Sequence, residues 1–262
     1  MNIDNLGTQL LFTTVPLWIE NTDGSQSTGT AFFYTAKSKK EGSTIPFLVT
    51  NNHVIKNAER ILIELIEGKD GVPDNKLKQR VEIQGEQFQQ FIDEKNDLAC
   101  VPFAPILNQF SNANKHIFFR TIEPGMVPSE KVINELGAIE EVTFIGYPSG
   151  IYDHENSSPL VRKGITSSPL WNDFKGESCF LIDAGVFPGS SGSPVFIYNQ
   201  GSYATNQGIT VGTRLLFIGI ISETMIRNNG DVSDVFLGLG KVVKSDNLKT
   251  FVQGIAAKID NN

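Results

Sequence analysis

The chain has 262 residues, 40% of them hydrophobic and 19% charged, with a formal net charge of −7. That balance fits a soluble globular protein with a substantial core and excludes a disordered chain. An acidic chain without a long basic run is ill suited to phosphate backbones, and its longest apolar run, around Leu215–Ile221, is far too short to span a bilayer; neither nucleic acid nor a membrane is an expected partner.

From the N-terminus, Met1 to Leu11 lacks a basic start followed by an apolar stretch, so no secretory signal is read. Strand-like runs rich in Phe, Ile, Val and Leu follow at Thr30–Thr35, Pro46–Thr50, Arg60–Leu65 and Gln79–Ile83, each bounded by turn residues. The segment Pro105–Gly125 is more polar and irregular and reads as a connection. A second series of strands is predicted at Glu141–Gly146, Leu160–Ile165, Cys179–Asp183, Ser193–Ile197, Leu215–Ser222 and Val235–Val242. In the tail, Leu248, Phe251, Val252, Ile255 and Ala256 recur at helical spacing, which predicts a C-terminal helix capped by Ser245. Regular short strands with Gly, Pro, Asn and Asp punctuation indicate an all-β sandwich or barrel. The two cysteines, Cys100 and Cys179, read as buried unpaired thiols, and the expected setting is cytoplasmic.

Three short stretches carry chemistry. In Pro188-Gly189-Ser190-Ser191-Gly192-Ser193-Pro194, Ser191 offers a hydroxyl, and Gly189 can turn its N–H inward beside that of Ser191 to meet a developing oxyanion. His53 stands just beyond the apolar run Phe47–Thr50, well placed as a general base. Asp97 leads into Leu98-Ala99-Cys100-Val101 and can orient a histidine, with Asp93 as its rival. Singly, each stretch is as easily a Gly/Ser turn, a surface histidine or a turn aspartate. Together they give His, Asp and Ser in one of the known triad orders. His116 and His154 lack such a setting and read as surface residues. No zinc-ligand spacing is present, and no metal or cofactor is expected.

These stretches resemble the trypsin-like, chymotrypsin-fold serine peptidases, and within them the HtrA-type protease domain. The likeness rests on Gly29-Thr30-Ala31-Phe32-Phe33, Val49-Thr50-Asn51-Asn52-His53-Val54, Asp93-Glu94-Lys95-Asn96-Asp97-Leu98-Ala99, Asp183-Ala184 and the serine loop. It implies two six-stranded antiparallel Greek-key β-barrels: residues 1–110 carry His53 and Asp97, residues 111–243 carry Ser191, and residues 244–262 form the helix and tail. It implies Gly189 and Ser191, helped by Ser190, as the oxyanion hole. Gly185, Val186, Phe187, Gly219, Ile220, Ile221, Ser222 and Glu223 are then the substrate-binding residues, with Ile220–Glu223 pairing with extended substrate. No acid lies in Gly185-Val186-Phe187, so a small or medium apolar residue is expected before the cleaved bond. No PDZ module follows the peptidase segment, and Ser190 stands where digestive trypsins carry an activating acid. The expected activity is peptide-bond hydrolysis of a protein or peptide substrate, constitutive or awaiting an activating protein partner. The alternatives are an esterase with the same triad and a catalytically silent peptide-binding module of the same fold.

Overall fold

The computed structural model describes residues 2–205, 208–229 and 232–261. After helix α1 (Leu6–Leu10), the first sheet collects β1 (Thr14–Asn21), β2 (Gln26–Lys37), β3 (Thr44–Thr50), β4 (Ala58–Lys69), β5 (Val72–Gln84), β6 (Ile92–Asp93), β7 (Leu98–Pro102) and β8 (Ile117–Phe118). Helices α2 (Asn52–Ile55), α3 (Gly85–Gln89) and α4 (Ala104–Asn112) interrupt it, and α5 (Glu130–Glu135) leads out of it. The second half consists of β9 (Glu141–Gly146), β10 (Leu160–Thr166), β11 (Cys179–Asp183), β12 (Pro194–Asn199), β13 (Ser202–Thr205), β14 (Gly208–Val211), β15 (Arg214–Asn229) and β16 (Val232–Lys244), followed by α6 (Ser245–Ile259). No helix among the described residues is long and apolar enough to cross a membrane.

The second half closes as a six-stranded barrel in the order β10-β11-β16-β15-β12-β9, with β13 and β14 as a separate hairpin. The first sheet runs β5-β4-β1-β2-β3-β7-β6, with β8 on β4. Its six longer strands are joined by two strands of only two residues, β6 and β8. The all-β architecture, one closed six-stranded barrel and the C-terminal helix thus match the sequence reading, whereas the first sheet exceeds its expected strand number by these two short additions and its end strands, β5 and β6, are not paired into a closed barrel among the described residues.

Three local readings are corrected. Strand β1, which holds Pro16 within its apolar run, is not among the strands read from the sequence. The proline is tolerated because the pairing of β1 with β4 begins only at Trp18, so no ladder partner needs an N–H at position 16. The supposedly irregular Pro105–Gly125 holds most of α4 and all of β8. Pro105 sits in the first turn of α4, where a missing N–H breaks no helical bond. Helix α6 begins at Ser245 but is capped by Lys244, and Ser245 is buried at 3% exposure.

Two apolar clusters fill the individual halves, and a third joins them. In the joining cluster Phe32, Tyr34 and Val49 from the first sheet meet Phe196, Phe217 and Ile220 from the barrel, with Leu248, Val252 and Ile255 of α6 closing it from one side. Cys100 lies in this cluster as a buried free thiol whose pKa burial pushes up. Phe217 is the meeting point: its ring centroid is 5.6 Å from that of Phe32 and 5.7 Å from that of Phe196. Truncating it leaves a void that rigid sheets on both sides fill poorly. Phe217→Ala is therefore expected to lower stability by about 3–5 kcal/mol in a guanidinium titration, whereas Val211→Ala, on an exposed hairpin position, changes it little.

Candidate active site

Strand β3 delivers the chain to Asn51, which enters α2 with extended backbone, so His53 falls in the first turn of a four-residue helix. The helix packs directly on β2 because Gly29 has no side chain there; a Cβ at 29 would lie 2.5 Å from Val54. Asp97 comes from the turn before β7, with its backbone in the left-handed region at φ 53. Two donors hold its carbonyl there, the Asn52 N–H at 3.1 Å and the Asn51 side-chain amide at 3.0 Å. Its carboxylate then receives the His53 backbone N–H at 2.9 Å and faces His53 Nδ1 at 2.7 Å. Burial pushes the Asp97 carboxyl up, but the hydrogen bonds from His53 and Ser222 and the attraction of the imidazole outweigh it, so its pKa lies below the ordinary value. The rival Asp93 instead holds its own turn, accepting from the backbone and side chain of Asn96. His116 and His154 are exposed.

The serine loop is fastened to the first sheet through Thr30, a fully buried residue of β2. The Thr30 N–H donates to the Ser191 carbonyl at 3.0 Å, and its hydroxyl donates to the Gly189 carbonyl at 3.0 Å. Gly192, at φ 89, permits this approach: a Cβ there would stand 1.9 Å from the Thr30 carbonyl oxygen. The glycine therefore serves close backbone contact rather than merely clearing space beside the serine. Gly189, at φ 84, has the Pro188 carbonyl before it drawn off by the Ser149 N–H at 2.6 Å. In a trans peptide N–H and C=O point oppositely, so the Gly189 N–H is turned away from Ser149. Among the described residues neither the Gly189 nor the Ser191 N–H has a hydrogen-bond partner. Ser190 is a correction: its N–H donates to the Phe187 carbonyl at 2.9 Å to close a tight turn, which removes it from the oxyanion-hole set.

Ser222, expected only as part of a pocket wall, proves to be the hub. Its hydroxyl donates to the Asp97 carboxylate at 2.7 Å, and its carbonyl accepts the Ser191 hydroxyl at 3.0 Å. No hydrogen bond joins Ser191 Oγ to His53 among the described residues. A register shift between Ile221 and Glu223 leaves Ser222 unpaired with β16, and the pairing of β15 with β12 has ended at Ile220. The bulge thus aims both polar groups of Ser222 at the site.

The remaining substrate-binding residues divide. Val186 and Ile221 lie in the barrel core and Ile220 in the joining core, so their side chains cannot line a pocket, and Gly219 packs against the Val243 carbonyl. Phe187 and Glu223 are exposed, and Gly185 is half-buried. A hydrogen bond from Thr224 Oγ1 to the Val186 carbonyl at 3.0 Å ties the two walls together. Thr30, Ser149 and Thr224 are site residues that sequence reasoning missed in these roles; only Thr30 carried a signal, as part of a quoted motif.

A family model described as a trypsin-like peptidase domain matches residues 29–203. Solved structures share the fold at low identity. The HtrA-type protease AlgW, solved with a tripeptide, has a TM-score of 0.53 at 20% identity over 98% of this chain and 64% of its own. The HL collagenase structure has a TM-score of 0.51 at 14% identity over 94% of each chain. The chain spans 64% of the length of the AlgW chains it matches. No curated protein matches it.

The depressed Asp97 pKa fixes the sign of one pH dependence. A carboxyl whose pKa is lower folded than unfolded adds stability above its unfolded value, about 3.9, and loses it as pH falls through the folded value. The stability gap between the wild type and Asp97→Asn should accordingly be full at pH 7 and shrink below about pH 4, as read from denaturation midpoints at pH 7 and pH 3. A gap independent of pH would show that the carboxylate charge does not matter to the fold.

Proposed function

The chain belongs to the family of trypsin-like peptidase domains, and from that premise we propose that it is a serine endopeptidase with Ser191 as nucleophile, His53 as general base and Asp97 as the group that orients the base. One observation carries this reading. Among the described residues Ser222 alone is hydrogen-bonded to both ends of the set, to the Asp97 carboxylate through its hydroxyl and to the Ser191 hydroxyl through its carbonyl.

In the proposed reaction His53 takes the Ser191 proton as Oγ attacks the substrate carbonyl, and later gives it to the leaving amine; water then releases the acyl group by the same route. Asp97 holds the Nδ1 side of the ring and stabilises the imidazolium. The unpaired N–H groups of Gly189 and Ser191 are suited to receive the oxyanion, because a donor without a partner in the free enzyme needs no bond broken at that moment. Substrate adds as a strand along the unpaired edge of β15 at Ser222–Thr224, with Gly185, Phe187 and Glu223 beside it.

The free enzyme in this reading is at rest, since the Ser191 hydroxyl is committed to Ser222 rather than to His53. A substrate backbone N–H that claims the Ser222 carbonyl would release the hydroxyl to His53. An activating protein partner that shifts β15 would have the same effect. Two buried free thiols fit a reducing, cytoplasmic setting.

The test is labelling by an active-site fluorophosphonate, followed by peptide mapping. Ser191 is expected to be labelled in the wild type, unlabelled as Ser191→Ala, and labelled far more slowly as His53→Ala. Gly189→Ala should slow labelling about 10²- to 10³-fold, the usual effect of losing one oxyanion donor, because a Cβ there would meet the Ser149 N at 2.7 Å and the Tyr147 O at 2.8 Å. Labelling only after addition of cell extract would assign the protein a partner-dependent activity. Absence of label in both conditions would leave the silent binding module.

A further inference from the structure

The proposed cleft carries a cation that the chemistry above leaves unused. Arg162 lies on β10, and its guanidinium rests against Gly185. An ideal Cβ built on Gly185 would stand 2.3 Å from one terminal nitrogen of Arg162 and 3.2 Å from its Cζ. The guanidinium therefore occupies the space into which a side chain at position 185 would point. It lies over the Phe187 ring at 4.9 Å and near that of Phe144 at 5.9 Å. Arg162 is half-buried, and among the described residues no carboxylate forms an ion pair with it. Asp183, the acid nearest in sequence to Gly185, is exposed at the end of β11 and makes no such pair.

The position of this cation follows from a short chain of contacts. Ser191 Oγ is bonded to Ser222; two residues further along β15, Thr224 is bonded to the Val186 carbonyl; Val186 follows Gly185, against which Arg162 rests. The wall facing the nucleophile across this strip is thus Gly185-Val186-Phe187. Val186 turns its side chain into the barrel core, so the wall presents a bare glycine backbone, an aromatic ring and a guanidinium. The apolar residue expected before the cleaved bond rested on the lack of an acid in Gly185-Val186-Phe187, but the side chains of Val186, Ile220 and Ile221 are in the cores and the wall holds a cation instead.

On the catalytic reading above, we propose that Arg162 binds the side chain of the residue whose carbonyl is attacked, and that the enzyme cleaves after aspartate or glutamate. A carboxylate is the complement such a group lacks. The guanidinium fork meets it with two parallel hydrogen bonds, and its place against Phe187 and Gly185 exists before substrate arrives. A half-buried cation without a counterion is also costly to leave unpaired, so an acidic side chain gains more there than a neutral amide of the same shape. A lysine or arginine in that position would meet like charge.

Peptidyl diphenyl phosphonates that differ only in carrying Glu, Gln, Leu or Lys next to the phosphorus test this, because each labels the same serine. They are applied in whichever condition, pure or with extract, allows the fluorophosphonate to label Ser191. The rate ratio is taken within each protein, so a partly folded variant does not distort it. In the wild type the Glu reagent should react about 10- to 100-fold faster than the Gln reagent, the range of one charge-assisted interaction. Arg162→Gln should bring that ratio to about one, and Arg162→Glu should turn the preference toward Lys. Equal Glu and Gln rates in the wild type, a faster Leu reagent, or a ratio that survives Arg162→Gln would each overturn the assignment while leaving the catalytic reading intact. Failure of the fluorophosphonate in both conditions would remove the catalytic reading and this inference together.

Discussion

A partly buried carboxylate must be matched by donors, and at Asp97 the donors come from both halves of the molecule. His53 supplies its ring and backbone N–H from α2 beside the first sheet, and Ser222 supplies a hydroxyl from β15 of the barrel. Removing the Ser222 hydroxyl while the halves stay packed would leave the carboxylate with an unmet acceptor site, which is more expensive than leaving the same group in water. The joining cluster around Phe217 brings the sheets together without direction; the Asp97 bonds supply direction. Apolar packing alone would tolerate a small slide of one sheet over the other, whereas the 2.7 Å bond from Ser222 to Asp97, which crosses between them, would not.

The same logic acts at Thr30. Its N–H holds the Ser191 carbonyl, its hydroxyl donates to Gly189 and accepts the Tyr147 N–H, and its carbonyl accepts the Thr50 hydroxyl. Every polar group of a fully buried residue is therefore used, and the partners reach from the end of β3 to the serine loop and the end of β9. Valine has the shape of threonine but could hold neither Gly189 nor Tyr147. The loop bearing the proposed nucleophile consequently takes its position from a strand more than 150 residues earlier.

The sequence reading reached what is local and missed what is relational. His53, Asp97 and Ser191 stood out because each sits in a stretch whose residue types suit its task. Those stretches give Asp97 as the partner of His53 with Asp93 as its rival, but not the left-handed turn, held by Asn51 and Asn52, that presents Asp97 to the ring. The strands of the barrel were legible from apolar runs, but the bulge at Ser222 was not, since a register shift leaves no mark in composition. Two elements that went unread, β1 and α4, hold prolines, Pro16 and Pro105, at positions where a missing N–H does no harm. The pocket walls failed for a further reason. Alternation places a residue on one face or the other, yet Val186, Ile220 and Ile221 were assigned to the cleft from their place in the motif and lie in the cores instead.

Several groups that depart from local rules lie along one strip. Asp97 and Ser149 are two of the six non-glycine residues at positive φ, and among the described residues the N–H groups of Gly189 and Ser191 have no partner and Arg162 has no counterion. Each departure has a support nearby: two asparagine donors for Asp97, the Pro188 carbonyl for Ser149, and the Phe187 ring for Arg162. Isolated defects of this kind are removed cheaply by substitution, but defects that are individually propped and face a common space have a shared use. What they jointly lack is a carbonyl oxygen for the two free N–H groups and an anion for the guanidinium. A peptide with an acidic side chain beside its reactive carbonyl contains both, separated by one residue's backbone.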